Sequence, residues 1–421
     1  MRSLMDLLKK NKEQAGSKLD QLIAELCPDG VEYKMLGEIG SFVRGNGLQK
    51  KDFAPSGVGC IHYGQIYTYY NNFVYETKSF VSNELASKLK RVNKNDIIFT
   101  LTSENIEDVC KSISWFGEKF IVTGGHTAIY THEQNAKFIV YCTQTESFFS
   151  QKKKLATGTK VIEISPTRLA SIKIPVPPLP VQQKIVRILD TFTELEAELE
   201  AELEARKKQY EYYRVNLLSF DNNTGVVRIK DICSKISSGG TPLKSKNSYY
   251  NNGTIPWLRT QEIIFNNIYK TDKFITEEGL KNSSAKYIPE NCVIVAISGA
   301  TAGRCAVNKI PLTTNQHCCN LEIDDNKALY RYVFHWISCQ YEELKSLGQG
   351  ARSDLNVGII SDYPIPVPPL SEQQRIVDIL DRFDALCNDL TSGLPAEIAA
   401  RRKQYEYYRD KLLTFKEKSH G

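Results

Sequence analysis

The chain has 421 residues, of which 41% are hydrophobic and 24% charged, a composition typical of a globular protein with two or three domains. It contains no apolar run near the roughly 18 residues that a membrane span requires, and its N-terminus has no secretory signal, so we expect a cytoplasmic location. A net charge of +5 is too weak to indicate a nucleic-acid partner without local basic patches.

The cysteines and histidines argue against a metal or disulfide framework. The 11 cysteines are scattered and include no C-x-x-C pair, and the histidines lack the spacings H-x3-H and H-E-x-x-H. We therefore expect the cysteines to be small buried side chains in a reducing compartment. Most histidines should lie in the core or in loops, and we expect no metal site.

In chain order, the sequence divides into five parts. A short amphipathic stretch, Leu19–Leu26, precedes a Pro-Asp-Gly turn, and two mixed globular regions then alternate with two helical regions. The parts are an N-terminal helical segment, a first globular domain, a central helical region, a second globular domain and a C-terminal helical region, at residues 1–29, 30–173, 174–222, 223–364 and 365–421. We expect Leu19–Leu26 to pack near the C-terminal helical region.

The two globular domains match each other only faintly. Asp96–Leu101 and Cys292–Ile297 are apolar runs that predict equivalent buried strands, and Phe120–Val122 predicts another strand. Two weaker matches pair Ser79–Ser82 with Lys273–Thr276 and Gly59–Tyr63 with Gly253–Trp257. Short strands mixed with turns and helices predict an α+β fold for both domains.

The helical regions, in contrast, repeat almost unchanged. The sequence IPVPPL at Ile174–Leu179 returns at Ile365–Leu370, 191 residues later (365 − 174 = 191), and RKKQYEYYR at Arg206–Arg214 returns as RRKQYEYYR at Arg401–Arg409. Each IPVPPL stretch should be extended and should lead into a helix, because proline fixes φ and lacks an amide donor. The chain is therefore two half-proteins in tandem, with a repeated helical frame and diverged globular parts.

The helical regions have the apolar pattern of a coiled coil. The first copy carries a seven-residue ladder, interrupted only at Arg206, that comprises Ile185, Phe192, Leu199, Tyr213 and Phe220. In the second copy, Ser371 and Gln374 predict a capping box at the helix start. The sequence Ser392–Pro395 predicts that the second helix breaks and restarts.

The central helical region also contains nearly three tandem tetrapeptides of the type Leu-Glu-Ala-Glu, from Leu195 to Ala205. One unit adds about 6 Å of helix, close to two base pairs at about 3.4 Å each. A change in the number of units would then alter the gap between the globular domains in steps that matter to DNA. The alternative is that these glutamates only form a solvated helix face.

No catalytic motif is present in a form that would support chemistry by this chain. The sequence lacks an N-P-P-Y-like turn for a flipped base and a G-x-x-x-x-G-K-[ST] phosphate loop, although Ser298–Arg304 is rich in glycine. Asp29 and Glu32 lie near Lys34 but are too close in sequence to come from the separate strands of a nuclease site. The sequence therefore argues against a self-contained methyltransferase or nuclease.

The pairing of I-P-V-P-P-L-x-x-Q-Q with R-[RK]-K-Q-Y-E-Y-Y-R, at both ends of a variable domain, resembles the specificity subunits of type I restriction-modification systems (the HsdS family). The resemblance covers essentially the whole chain. It implies an α+β protein with two target recognition domains, separated by two long, repeated, antiparallel coiled-coil regions with pseudo-two-fold symmetry. Each domain would read one half of a split double-stranded DNA target with a fixed spacer.

The resemblance also implies that the chain is non-catalytic and has protein partners. Two methyltransferase subunits would dock on the helical regions, and two restriction and translocase subunits would join the full complex. S-adenosylmethionine, ATP and Mg²⁺ would then belong to these partners. A tandem-domain scaffold that binds other proteins is the alternative from another functional class, and DNA binding with a methyltransferase subunit would exclude it.

We select candidate contact residues by chemical type and position. Arginine, lysine and glutamine in polar loops can bind phosphates or base edges, and each such residue can instead have an ordinary surface role. The DNA candidates are Arg44, Lys50, Lys51, Gln65 and Lys160 in the first domain and Lys244, Lys246, Arg259, Arg304, Gln316 and Arg352 in the second. The partner-binding candidates in the helical motifs are Gln182, Gln183, Tyr210, Tyr213, Gln373, Gln374, Tyr405 and Tyr408.

Overall fold

The computed structural model describes residues 19–221, 224–348, 354–389 and 391–418. The described residues form two compact units, the first from Met1–Glu198 with Ala399–Gly421 and the second from Leu199–Ile398. Each unit therefore combines one globular domain with helical segments from both halves of the chain. The five-part division by sequence remains a prediction, because the boundary between the units falls inside a helix. Within the described residues, no helix is long and apolar enough to cross a membrane.

The first unit contains a five-stranded and a four-stranded sheet with short helices between the strands. In sheet order, the five strands are Gly40–Arg44, Thr127–His132, Ile97–Thr100, Ser112–Trp115 and Phe73–Val74, and the four are Ser79–Val81, Val58–Ile61, Ile121–Thr123 and Lys90–Val92. Two antiparallel pairs join Tyr33–Met35 to Lys173–Pro175 and Thr102–Ser103 to Ile162–Glu163. Its shorter helices are residues 19–26, Leu36–Ile39, Lys50–Asp52, Tyr63–Thr68, Asn83–Lys88, Ala136–Cys142, Glu146–Leu155 and Pro166–Leu169.

The second unit repeats this sheet plan. Its five strands are Cys233–Ser238, Cys318–Ile323, Val293–Ala296, Cys305–Asn308 and Asn266–Ile268, and its four are Phe274–Ile275, Ile255–Leu258, Leu312–Thr314 and Tyr287–Ile288. Val226–Arg228 pairs with Pro364–Pro366 as the antiparallel pair at the ends of the domain. Its shorter helices are Ile229–Ile232, Asn247–Tyr249, Thr260–Glu262, Glu277–Lys281, Gly299–Thr301, Tyr330–Cys339, Tyr341–Ser346 and Val357–Asp362.

The central strand of each five-stranded sheet confirms the prediction of matched buried strands. All four residues of Ile97–Thr100 and all four of Val293–Ala296 are buried, and both strands hold the third place in their sheets. A strand covered on both faces favours a continuous apolar run rather than alternation, which is why the two runs were recognisable. The predicted strand at Phe120–Val122 is also confirmed, as Ile121–Thr123. Both units are therefore of the predicted α+β class.

The strand registers confirm one of the two weaker matches and correct the other. Val58 lies opposite Val81, and Ile255 lies opposite Ile275, so Ser79–Ser82 and Lys273–Thr276 are equivalent as predicted. The same registers make Gly59 equivalent to Pro256 rather than to Gly253. The match of Gly59–Tyr63 with Gly253–Trp257 was therefore wrong by three residues, because a glycine-containing loop and a strand edge share similar residues there.

Three helices carry the repeated motifs. The central helix, Leu179–Leu217, has 39 residues and is about 58 Å long at about 1.5 Å per residue. The second-copy helix, Leu370–Asn388, and the C-terminal helix, Leu394–Leu412, are separated at the predicted break. The predicted capping box is not formed, because the second-copy helix begins just after Pro369, and the N-cap makes no side-chain hydrogen bond. The side chain of Gln374 instead donates to Asp378 at 2.7 Å.

Within each unit, the repeated helical motifs pack against each other in antiparallel fashion. In the first unit Phe192 stacks on Tyr408 with ring centroids 5.6 Å apart, and Glu196, further along the same helix, pairs with Arg402. In the second unit Phe383 stacks on Tyr213 at 5.3 Å. Phe192 and Phe383 are equivalent in the repeat, so each unit contains the same aromatic pairing. This pairing confirms the predicted antiparallel coiled-coil contact within each unit.

The start and the end of the described chain meet in the first unit. Leu19 is buried in a cluster that also contains Leu413 of the C-terminal helical region. The Val31 amide donates to the carbonyl of Lys416 at 2.8 Å, and Lys418 donates back to Val31 at 3.0 Å. The predicted packing of Leu19–Leu26 near the C-terminal helical region is therefore confirmed.

Candidate nucleic-acid interface

In the second unit, four loops meet at the end of the five-stranded sheet where the central strand finishes. We call residues 238–241, 259–262, 297–304 and 315–317 the second loop surface. The amide of Ile297 donates to the carbonyl of His317 at 2.9 Å, and Asn315 donates to Leu258 at 3.0 Å. These backbone hydrogen bonds connect the strand ends and hold the loops side by side.

The first unit has an equivalent surface, which we call the first loop surface, formed by residues 44–46, 62–67, 101–108, 124–126 and 162–164. The amide of Leu101 donates to His126 at 2.8 Å, as Ile297 does to His317, and Ile164 donates to Leu101 at 3.0 Å. The last bond is also repeated, because Leu355 donates to Ile297 at 2.8 Å. The backbone frame of the two loop surfaces is therefore the same, whereas most of their side chains differ.

The glycine-rich loop Ser298–Arg304 is exposed at Gly299 and Ala300, whereas Ala302 and Gly303 are buried. Gly299 and Gly303 have positive φ values of 76° and 86°, which favour glycine, and a Cβ added at Gly299 would meet no atom within 4 Å. The amide of Gly299 donates to Asp354 at 3.0 Å, which fixes the outer side of the loop. The backbone of this loop can therefore be approached closely by another molecule.

Arg304 and Arg259 present unfilled hydrogen-bond donors at the second loop surface. The Nε atom of each side chain is buried yet has no hydrogen-bond partner among the described residues. Glu262 lies 3.9 Å from the Arg259 Nε, outside hydrogen-bonding distance, and its carboxylate instead accepts from the amide of Arg259 at 3.1 Å. Because these Nε atoms are shielded from solvent, an acceptor from outside the chain would bind the other N–H donors of the two guanidinium groups.

The remaining candidates of the second domain have mixed placements. Gln316 is exposed on the second loop surface, where its side chain bonds Thr241. Lys244 and Lys246 are exposed in the segment that follows Thr241, and the Lys246 ammonium lies over the Tyr249 ring, 5.0 Å from its centroid. Arg352 lies outside the described residues, so its predicted role remains a prediction.

In the first domain, Arg44 belongs to the first loop surface. Its Nε donates to the carbonyl of Gly125 at 3.1 Å, and its Nη2 lies 3.1 Å from Glu163. Lys160 is exposed in the turn that precedes Glu163. The structure therefore brings two of the predicted residues near one another, although Glu163 partly neutralises Arg44.

Lys50 and Lys51 are exposed in a short 3-10 helix. Burial, followed by the charge of Lys50, lowers the pKa of His62, a residue of the first loop surface. Gln65, in contrast, is used inside the domain. Its Oε1 accepts from the His62 amide at 3.0 Å and its Nε2 donates to Ser79 at 2.7 Å. Both ends of its amide therefore cap and anchor its own helix, and the structure gives no support to Gln65 as a base reader.

In the first unit, the counterpart of the glycine-rich loop is the acidic loop at residues 102–108, whose backbone is bound by a buried lysine. Lys152 donates to the carbonyls of Glu107 and Val109, each at 2.9 Å, and burial lowers its pKa. Asn105 donates to Asp108 within the loop at 2.8 Å. The two loops occupy equivalent places, but the first unit presents carboxylates there and the second presents an open backbone with Arg304.

Two histidines on the loop surfaces were overlooked in the sequence. His126 and His317 are exposed and occupy equivalent positions, separated by the same 191 residues (317 − 126 = 191) as the two IPVPPL motifs. That shared spacing is the sequence feature that could have identified them. Within the described residues, no cluster of three or more His, Cys, Asp or Glu side chains is arranged to hold a metal ion.

The two motif glutamines Gln182 and Gln373 are buried inside their units. Gln182 accepts from the Asn135 amide at 3.0 Å and donates to the Pro177 carbonyl at 2.8 Å. Gln373 makes the same pair of bonds, with Leu329 at 2.9 Å and Pro368 at 2.8 Å. The prediction that these two side chains contact partners was wrong, because they connect the helical motif to its own globular domain. Their neighbours Gln183 and Gln374 are exposed.

The motif tyrosines chosen from the sequence also pack mainly inward. Tyr210 is buried, and Tyr405 donates to Gln144 at 3.1 Å, while Tyr408 and Tyr213 stack on phenylalanines. The partner role of Tyr210 is therefore corrected, because its ring belongs to the core. The most exposed tyrosines of the two motif copies are Tyr212 and Tyr407, at 66% and 63% exposure, whereas Tyr213 is 37% exposed. The helical period turns them away from the apolar seam.

Two α+β units with one strand plan, each with a polar loop surface, define an internally duplicated binding protein. The family model for the type I restriction modification DNA specificity domain matches this chain twice, at residues 28–205 and 222–400. The chain therefore belongs to the family of type I restriction-modification specificity subunits.

Relatives by sequence agree with this family. The chain is 40% identical over 257 residues to the specificity subunit of the type I restriction enzyme EcoR124I/EcoR124II of Escherichia coli, a match that covers 58% of this chain and 63% of that relative. It is 30% identical over 321 residues to a putative type I restriction enzyme specificity subunit of Haemophilus influenzae, with 72% of this chain and 79% of that relative covered. The chain thus spans less than two thirds of the E. coli relative.

Solved structures show the same fold. The S subunit of a type I restriction-modification system from M. genitalium superposes with a TM-score of 0.56 and 15% identity, over 91% of this chain and 96% of that one. A chain from a structural study of the assembly and conformational transition of a type I system superposes with a TM-score of 0.62 and 18% identity, over 91% of this chain and 97% of that one. At such low identity these likenesses concern the fold alone.

Proposed function

We propose that this subunit reads a split double-stranded DNA target, with one loop surface for each half and a fixed unread spacer between them. The observation that carries the proposal is the repetition of the backbone hydrogen bonds of Leu101 and Ile297 beneath loops of different sequence. A constant frame with variable loops suits a protein that performs one kind of contact on two different sequences.

The charge and donor pattern of the loops supports contact with DNA. Arg304 and Arg259 have Nε donors without partners, and guanidinium groups bind guanine edges and phosphates well. Among the described residues, the DNA contacts that we propose are Arg44, Lys50, Lys51, Lys160, Lys244, Lys246, Arg259, Arg304 and Gln316, and Arg352 remains a further candidate. Arginine and lysine would supply phosphate and guanine contacts, and glutamine an adenine contact.

We further propose that the chain is a non-catalytic member of a larger complex. Its helical motifs would dock two methyltransferase subunits, and two restriction and translocase subunits would complete the assembly. The exposed pair Tyr212 and Tyr407 supports a partner that binds twice, because the same side chain is presented by both motif copies. S-adenosylmethionine, ATP and Mg²⁺ would be bound by those partners.

Single-molecule methylation mapping tests the proposal. DNA from cells that express this chain with its neighbouring methyltransferase gene is compared with DNA from cells that lack this chain. The proposal predicts a new split motif with methylated adenine in both halves. An unchanged methylome with both proteins present would contradict it and would favour a protein-binding scaffold.

A further inference from the structure

His126 and His317 are the same residue at the same place on two surfaces that otherwise differ. Each follows a strand end, at Thr123 and Thr314, and each accepts through its carbonyl the amide that ends the central strand. The residues before the two histidines differ, as Gly124-Gly125 in one unit and Asn315-Gln316 in the other. The histidine is therefore retained where its neighbours have changed.

The backbone does not require a histidine at either position. The bonds at these turns use the histidine main chain, and His317 also donates from its amide to Asn315 at 3.0 Å. Both side chains are exposed, so neither fills a core. The geometry of the turns therefore does not explain why both loops carry a histidine.

Each imidazole has one nitrogen within hydrogen-bonding distance of a polar side chain, and its second nitrogen has no hydrogen bond within the described part of the chain. Nδ1 of His126 lies 3.0 Å from the Thr102 hydroxyl, which can donate to it and so leave the proton on Nε2. Nε2 of His317 lies 3.2 Å from the Gln316 amide nitrogen, which can donate to it and leave the proton on Nδ1. Both histidines can therefore offer one N–H donor to a ligand.

Each loop surface that carries one of these histidines also carries an arginine. Arg44 donates to the carbonyl of Gly125, the residue before His126. The carbonyl of Arg304 accepts a hydrogen bond from the amide of Ala296. In the neighbouring strand, Ala296 lies opposite Cys318, which directly follows His317. A neutral N–H donor on a surface that also carries an arginine is suited to an anionic acceptor.

We infer that His126 and His317 each donate a hydrogen bond to a phosphodiester group of the DNA backbone, at equivalent positions of the two half-sites. The inference rests on the proposed function and identifies a contact that both halves share. Base contacts must differ between two different half-sites, whereas the sugar-phosphate backbone is common to both. A residue that is identical on both surfaces therefore fits the common element.

Binding measurements on the full complex test this assignment. The chain, assembled with its methyltransferase subunits, is titrated by fluorescence anisotropy against a duplex that carries the mapped motif and against a scrambled duplex of equal length. The variants are His126→Ala, His317→Ala, the double variant and the two His→Gln variants. Lys94→Ala is the control, because Lys94 pairs with Glu118 at the opposite end of the sheet from the first loop surface.

We expect each alanine variant to bind both duplexes about three- to tenfold more weakly, the size of one lost hydrogen bond, and the losses to multiply in the double variant. Glutamine should restore most of the affinity, Lys94→Ala should bind as the unmodified chain does, and the methylated motif should stay unchanged. Unchanged affinity in the alanine variants, or relaxed sequence at one motif position, would overturn the phosphate assignment. Failure of the unmodified complex to recognise any motif would instead overturn the proposed function itself.

Discussion

Gln182 and its exposed neighbour Gln183 show how differently two adjacent glutamines can serve one motif. Gln182 satisfies the Asn135 amide, at the start of the helix Ala136–Cys142, and also the Pro177 carbonyl. Both backbone groups lie at the junction between the helix and its domain, where water is excluded. The Gln182 side chain therefore supplies the hydrogen bonds that water would otherwise make. The motif letters Q-Q therefore encode one internal anchor and one surface residue.

The first prediction concerns this anchor. Gln182→Ala should lower the free energy of unfolding by roughly 1–3 kcal/mol, because it leaves a buried amide and carbonyl without partners. Gln183→Ala, the matched control, should change it by less than about 0.5 kcal/mol. Urea denaturation of both variants provides the comparison. Equal effects of the two substitutions would show that burial of Gln182 does not matter.

The second prediction concerns Arg304. Arg304→Ala should weaken DNA binding by about 1–3 kcal/mol and affect only the half-site that the second unit reads. Arg228→Ala provides the control, because Arg228 pairs with Asp362 at the exposed base of the same domain. Methylation mapping of the Arg304 variant distinguishes the kinds of contact, since a base contact relaxes one motif position and a phosphate contact relaxes none. Full affinity in the variant would exclude Arg304 from the interface.

At the scale of elements, each unit joins its helix to its domain through a carboxylate network. In the first unit Asp190 accepts from Tyr141 at 2.7 Å and pairs with Lys137 at 2.6 Å. In the second unit the equivalent Asp381 pairs with Arg331 and lies 2.6 Å from Nε2 of His335. The two junctions share a plan, but only the second contains a buried histidine.

That histidine gives the second unit a pH-dependent stability, which is the third prediction. Burial lowers the pKa of His335 below its usual 6.5, so the unfolded chain binds the proton more readily than the folded one. Stability should therefore fall as the pH decreases below about 6.5. The free energy of unfolding should differ between pH 7.5 and pH 5.5, and His335→Gln should remove the contribution of His335 to that difference. The same difference in the variant as in the unmodified chain would rule out His335 as its source.

The fourth prediction concerns the tetrapeptides of the central helix. Deletion of Leu199–Glu202 removes about 6 Å of helix and should shorten the spacer by about two base pairs while both half-sites stay unchanged. The paired substitution Glu200→Gln and Glu202→Gln keeps the length and should leave the spacer as it is. Methylation mapping reads both outcomes. Retention of the original spacing after the deletion would support a solvated helix face as the only role of the repeat.

The sequence reveals local and repeated features more readily than tertiary contacts. The buried central strands and the break before Leu394 were predicted, because apolar runs and helix-breaking glycine and proline residues determine structure locally. The capping box at Ser371 was not formed, since the helix begins after Pro369. The outward tyrosine Tyr212 was missed for a similar reason: the motif predicts a seam, but which tyrosines face it depends on the partner helix.

At the scale of the whole molecule, duplication accounts for most of what could be predicted and divergence for most of what could not. The repeated helical motifs identified the family and predicted antiparallel contact between the two copies, whereas the stacking of Phe192 and Phe383 on tyrosines of the other copy was found only in the structure. The DNA candidates were harder to select, because a loop side chain such as Gln65 becomes an internal anchor only through contacts with residues distant in sequence. Loop chemistry therefore needs the strand registers before it can be interpreted.

We propose that each unit reads its own half-site, and replacement of one domain by the other provides a direct test. The ends of both domains are fixed by an antiparallel strand pair, with Met35 opposite Lys173 and Arg228 opposite Pro364. Residues 36–172 can therefore be replaced by residues 229–363, and the resulting methylome mapped with the methyltransferase subunit. We expect the second unit's half-site to appear on both sides of the spacer. An unchanged motif from the assembled variant complex would contradict it.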